Sequence, residues 1–466
     1  MSSSSSPFRN GRRWYKRRST RLVIIIAAMV FILGPWPVNR LPHDNTRYSK
    51  TTRQRIRQTD FTPARGDILA GVAFKEITPP VASPLAGFGA RKPNASEPHG
   101  ERMYVKALTL KVESQTVTIV AADILLVMSN LRREILHRLG VSPEEVFFTA
   151  THTHSGPGGF APGIIEQFVI GKYDRQHLDD LAEAFDEAIR SSRVNLRPAQ
   201  IGWGTSTRKD SPFVHNRIDA TDPPQTTVHA LLIRDAEGSD VIATLVIAAP
   251  HATCLGKRNL LPHRDFPGQV QDSIEKIVGG RCLYAAGAVG SMAPAKVGNN
   301  DHEQVQVVGE RLSRSAMAAL RDASAAGDTN ATLCSRILEV DLPPIQYRLT
   351  GWARLSPISA ALMLRSRRTY IHTLTINDRI IIAMPADYSG ELEMTLAEKR
   401  PINAPIPIIS SFNGDYVGYI IPNSRYDSEH YESRDMNLLG PWAGEYFNDL
   451  AMDIIHQSAL AQESAR

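Results

Sequence analysis

The chain of 466 residues has only three cysteines, Cys254, Cys282 and Cys334. An odd, scattered set without metal-finger spacing excludes a disulfide framework, though not a single bridge, and a thiolate-held metal. An unbroken apolar run of about 20 residues is also missing; the longest, Leu22 to Leu33, is short for a bilayer-spanning helix. Net positive charge is lacking outside the N-terminus. The net charge is +5, and Arg9, Arg12, Arg13, Lys16, Arg17, Arg18 and Arg21 supply much of the excess. The remainder is close to neutral, which leaves no basis for nucleic-acid binding. No internal repeat or low-complexity segment interrupts the stretch from Asp67 onward.

What is present begins with those cations, then the apolar run, then Gly34 to Val38 with two prolines. That order fits a signal peptide or an uncleaved signal anchor. Prolines at the exit and no small-x-small cleavage site favour the anchor. The basic flank stays in the cytoplasm and the rest lies outside, periplasmic or extracellular, or secreted if the segment is cleaved. The chain is therefore divided into a basic N-region at 1–21, a membrane segment at 22–38, a polar arginine-rich linker at 39–66 and one large domain at 67–466.

From Asp67 onward, apolar strand-like segments alternate with amphipathic helical ones, predicting an α/β fold of mixed sheets flanked by helices. Strands are expected at Tyr104 to Val112, Val117 to Leu126, Val146 to Thr151, Ala199 to Trp203, Val228 to Arg234, Val241 to Ala249 and Cys282 to Ala286. Others follow near Arg336, Thr369, Ile380 and Ile408. Helices are expected at Asn130 to Leu139, Gln176 to Ser192, Gly268 to Val278, His302 to Ala325 and Trp442 to Ile455.

One run concentrates chemistry. Val146 to Thr151 leads into His152-Thr-His154-Ser-Gly-Pro-Gly-Gly159. If the strand continues, alternate side chains share a face and both imidazoles project the same way as the glycines stop it. A histidine pair of this kind also occurs in ordinary cores, so further ligands are needed at other strand ends. His251 directly follows the apolar run Val241 to Pro250, where ligands bind in α/β sheets. Asp387 lies just past Ile380 to Pro385, as a ligand or as a helix cap.

Several segments together resemble the catalytic domain of the neutral, non-lysosomal ceramidases and their shorter bacterial relatives. They are Gly71 to Pro80, Leu85 to Arg91, Ala122 to Ile124, Ala150 to Pro157, Asn216-Arg217 and His251. Asp265 to Gly268, Pro385 to Asp387, Tyr416 to Ile420 and Tyr431-Glu432 complete the likeness. The resemblance implies a zinc-dependent amidase that cleaves the N-acyl bond of ceramide to sphingosine and fatty acid. It implies His152, His251, Asp387 and Tyr419 as zinc ligands, His154 as the acid–base or oxyanion group beside the metal, and Arg217 as holder of the substrate carbonyl. The family has Glu where Asp387 stands, with Glu391 as the fallback; Tyr416 is the alternative to Tyr419. Where the family reads Gly-Asp-x-Ser-Pro, this chain has Gly290-Ser-Met-Ala-Pro294. The chain also stops after its closing helix, without the immunoglobulin-like domain of full-length ceramidases. Two other readings remain: a non-catalytic descendant that binds a lipid or envelope component, and a zinc hydrolase of another amide or ester.

Overall fold

The computed structural model describes residues 8–464 except 90, 92–95, 209, 211, 326, 364 and 365; the side chains of 8–18 and 361–363 lie outside the description. The N-terminal cations from Arg9 to Arg18 and Ala90 of the Leu85 to Arg91 motif are thus not located.

The frame is a twelve-stranded mixed sheet. Its strands are β1 (Ala64–Glu76), β2 (Tyr104–Val112), β3 (Gln115–Ala122), β4 (Val146–Ala150), β5 (Arg197–Thr207) and β6 (Thr227–Asp235). They continue with β7 (Val241–Ala248), β8 (Arg281–Ala286), β9 (Asn330–Asp341), β10 (Arg368–Ile376), β11 (Arg379–Met384) and β12 (Ile406–Ser411). The order is β8-β7-β6-β5-β1-β9-β10-β11-β12, with β2, β3 and β4 branching from β1. The branch works because β1 is long: its start pairs with β9 and its later part with β2.

Three pairs are parallel: β3 with β4, β7 with β8, and β11 with β12. β7 and β11 are almost wholly buried, as their nearly continuous apolar sequences require. Phe147, Leu283 and Ile408, from one strand of each parallel pair, share a single apolar cluster, and β4, β8 and β12 touch one another. The sheet therefore folds over itself and brings the ends of these strands together.

Helices cover the outside. α3 (Ser129–Leu139) and α4 (Arg175–Val194) pack over one region, α5 (Asp265–Val278) and α6 (Asp301–Ala325) over another. α7 (Gly390–Lys399) and α8 (Ala443–Ser464) cover the third. In α4, Leu178, Leu181, Phe185, Ala188 and Ile189 form the buried stripe, and Asp174 caps the start by accepting from Gln176 N. The expected mixed α/β architecture is present, and the three cysteines are buried and free.

The N-terminal segments differ from expectation. Residues 39–66 are not a linker: they contain a helix, Arg47–Gln58, with Ser49, Thr52 and Ile56 buried. Its Arg53 forms a bidentate pair with Asp453 of α8, and Tyr446 donates to the Thr52 hydroxyl. Two of the three buried residues are small and polar, which hides the helical period from an apolar-pattern reading. Ahead of it, Phe8–Leu33 is helical, yet no helix among the described residues is long and apolar enough to cross a membrane. The run Leu22 to Leu33 rises only about 18 Å, against a hydrocarbon core of about 30 Å. Its large apolar side chains stand 43–64% exposed.

Candidate metal centre

The candidate residues follow the C-terminal ends of the parallel strands. β4 stops at Ala150, so strand alternation does not aim His152 and His154. His152 instead adopts a left-handed φ of 61°, a conformation costing a non-glycine residue about 1–3 kcal/mol that surrounding contacts must hold. Phe412, itself at φ 68°, stacks on the His152 ring at 4.1 Å.

Three imidazoles converge. His152 Nε2 lies 2.8 Å from His251 Nε2 and 3.3 Å from His154 Nε2, and the latter two are 3.0 Å apart. Their other nitrogens face backbone carbonyls: His152 Nδ1 to Leu125 at 2.7 Å, His154 Nδ1 to Gly87 at 2.9 Å and His251 Nδ1 to Val289 at 3.4 Å. A carbonyl can only accept, so each Nδ1 carries the hydrogen and each Nε2 presents a bare lone pair. Three lone pairs pointed at one another repel unless a cation or proton lies between them.

Protons are disfavoured. Burial first, then the neighbouring His152, holds the His154 and His251 pKa values well below the ordinary imidazole range. A carboxylate completes the set: Asp387 Oδ1 is 3.4 Å from His152 Nε2, buried, and without a hydrogen-bond partner. Nitrogen and oxygen donors of this kind fit zinc, with the histidines oriented through their second nitrogens. The nitrogen separations lie at or slightly below the roughly 3.4 Å edge of a tetrahedron with bonds of about 2.1 Å.

The other Asp387 oxygen accepts from Tyr416 at 2.7 Å. Tyr419 pairs its backbone beside Asp387, but its hydroxyl bonds run to Arg217 at 3.2 Å and Tyr431 at 3.1 Å. Burial first, then Asp387, raises the pKa values of Tyr416 and Tyr419 well above the ordinary tyrosine value. Arg217 also donates to Gly290 O and pairs with the buried Glu432 at 2.6 Å. Burial opposes its charge; Tyr419, Tyr431 and Glu432 outweigh burial and raise its pKa.

The Gly290 to Pro294 loop lies between His251 and Arg217, bonding His251 N through Met292 O and Arg217 N through Ser291 O. Ser291 is fully buried and donates to Glu391, which also accepts from Ser389 and Asn216. Glu391 is thus engaged away from the imidazoles. The structure gathers His152, His154, His251 and Asp387, with Arg217 and Tyr419 in an adjoining hydrogen-bonded group. Sequence reasoning did not assign Phe412 as the His152 platform, Tyr416 as the donor to Asp387, or Glu432 as the counter-ion of Arg217. The aromatic and acidic residues themselves were visible in the Phe412 to Tyr419 and Tyr431-Glu432 segments.

Donors at the ends of parallel strands define an α/β protein built around a buried centre of metal-binding type. A family described as neutral/alkaline non-lysosomal ceramidase, N-terminal, matches residues 68–301, about half the chain, and the chain belongs to that family. It is 25% identical over 223 residues to a neutral ceramidase of Mycobacterium tuberculosis, covering 44% of this chain and 34% of that protein. A Pseudomonas aeruginosa neutral ceramidase is 22% identical over 261 residues, covering 51% and 38%. The matched part spans about a third of these relatives' length. In fold, the chain is similar to the crystal structure of the P. aeruginosa neutral ceramidase, with a TM-score of 0.69 at 19% identity, covering 85% of this chain and 75% of that one. A structure of ceramidase complexed with C2 gives 0.71 at 17% identity, covering 85% and 76%.

Proposed function

We propose that this chain is a zinc-dependent hydrolase of an N-acyl amide bond, with ceramide or a related lipid amide as substrate. The observation that carries the reading is the convergence of three unprotonated Nε2 atoms on the unpartnered Oδ1 of Asp387. Neutral ceramidase relatives support the substrate class.

His152, His251 and Asp387 would hold the ion, because a catalytic zinc site keeps three protein ligands and one open position. A zinc ion there supplies Lewis acidity and lowers the pKa of a water towards about 7. His154 is less buried than its two neighbours and would serve as the proton carrier beside the ion. Its neutral Nε2 takes a proton from the attacking water and returns it to the departing amine nitrogen, which is too basic to leave unprotonated. Arg217, fixed by Glu432 and Gly290, provides a positive charge for the developing oxyanion. Tyr419 enters this reading as the group that orients Arg217 rather than as a metal donor. Water adds to the acyl carbon, the C–N bond breaks, and a fatty acid and an amine result.

The exposed helix Leu22 to Leu33 behind its basic flank would direct the domain to a lipid surface, lying on it rather than crossing it. The test of function is zinc content of the purified protein beside fatty-acid release from a panel of N-acyl amides, with His152→Ala as control. Stoichiometric zinc and turnover abolished in the variant are expected. Zinc without turnover on any amide would leave a lipid-binding descendant as the better account.

A further inference from the structure

Next to the centre, the short helix Ile164–Ile170 turns its apolar face outward. Ile164 is 90% exposed, Ile165 64% and Phe168 71%. Their spacing puts them on one side of the helix, while Ile170 is buried on the other. The inner side is pinned, with Gly87 N donating to Val169 O at 2.9 Å and Gly159 N to Ile170 O at 2.8 Å. The outward face is therefore a fixed feature of the surface.

Its position gives it meaning. Gly87 O is the carbonyl that accepts from His154 Nδ1, so one residue joins this helix to the centre. The Phe88 ring lies 4.8 Å from the His154 ring. Gly89 meets Phe168 so closely that a Cβ there would lie 2.1 Å from the ring. Phe168, Gly89, Phe88 and His154 thus form one continuous wall, apolar on the outside and reaching the imidazoles on the inside. A protein partner would need matching shape and polar anchors; a lipid layer asks only for apolar depth. The exposed Lys172 flanks the patch and suits a phosphate headgroup.

We propose that Ile164, Ile165 and Phe168 form a lip that dips into a lipid layer and passes a lipid amide along Phe88 to the centre. The proposal rests on the lipid-amide reading above and adds where that substrate enters. The test compares full-length protein and Ile164→Ser/Phe168→Ser on a long-chain N-acyl amide in phosphatidylcholine vesicles and on a short-chain, monomeric amide. The variant should lose about tenfold or more on vesicles, the scale set by withdrawing two large side chains from an apolar phase. It should stay within about twofold on the monomeric amide. Equal losses on both substrates, or none on either, would overturn the lip. A second reading needs no turnover: the fluorescence that Phe168→Trp adds to that of the five native tryptophans should be quenched by brominated phosphatidylcholine vesicles, and no quenching beyond that of the unaltered protein overturns the proposal. Quenching with no hydrolysis of either amide by the unaltered protein would instead overturn the catalytic reading alone.

Discussion

Removing one hydroxyl should expose how the centre is held. Asp387 is 1% exposed, its Oδ1 has no hydrogen-bond partner, and its Oδ2 accepts from Tyr416 at 2.7 Å. Tyr416→Phe deletes that donor while keeping the ring against Phe412. A hydrogen bond to a charged group contributes about 1.5–3 kcal/mol, and a carboxylate freed to rotate must be re-ordered on binding a cation. At about 1.4 kcal/mol per factor of ten, zinc should bind one to two orders of magnitude more weakly. Competition with a chromophoric chelator measures this directly, and thermal unfolding in excess chelator checks that the fold persists. Tyr419→Phe is the internal contrast: its hydroxyl serves Arg217 and Tyr431, so zinc affinity should hold within about twofold while kcat falls. An unchanged zinc affinity in a folded Tyr416→Phe protein would refute Asp387 as a ligand steadied by Tyr416.

Three further outcomes are expected. Gly290→Ala places a Cβ 2.6 Å from Asp387 O, a backbone clash that should displace the carboxylate and cost about 1–3 kcal/mol; unaltered zinc affinity and urea midpoint would refute it. Glu393 is buried, accepts from Ile409 N and Gln225, and is pushed up to about 7 by burial. Because its folded pKa is raised, the contribution of its protonated form is complete below its unfolded value and is lost as pH rises through about 7. Glu393→Gln should therefore gain about 3 kcal/mol relative to the unaltered protein between pH 4 and pH 8; a pH-independent difference in urea unfolding would sink this. Lys106, 5% exposed, donates to Glu275 at 2.7 Å and Cys282 O at 2.8 Å. Lys106→Met should cost about 2–3 kcal/mol, the loss being limited because Arg281 still pairs with Glu275; a change under about 0.5 kcal/mol would show the pair to be dispensable.

The sheet was largely legible because its strands bury one or both faces, so apolar runs such as Val241–Ala248 mark themselves. Helices α4 and α6 were equally plain from their period. The histidine pair and its partners were recognisable by position after strands, but their geometry was not. No pattern rule anticipates a left-handed His152, which only the packing of Phe412 and the Leu125 carbonyl can hold. The short pairing of Val214–Asn216 with Met292–Pro294, which sets Arg217 beside the Gly290 to Pro294 loop, was too brief to leave a periodic signal. Helix Arg47–Gln58 was missed because ion pairs and small polar residues dock it where an apolar stripe was sought.

The meeting of three parallel strand pairs also determines when the centre can come into being. His152 and His154 follow β4, His251 follows β7 and Asp387 follows β11, so the donors meet only once the three parallel pairs, far apart in sequence, have come together through β4, β8 and β12. Such long-range pairings form slowly. A nascent chain that had reached only residue 301 would hold the imidazoles without the carboxylate or its tyrosine. Metal capture would then act as a completion signal for folding, and the bound ion as a clasp that resists reopening by mass action.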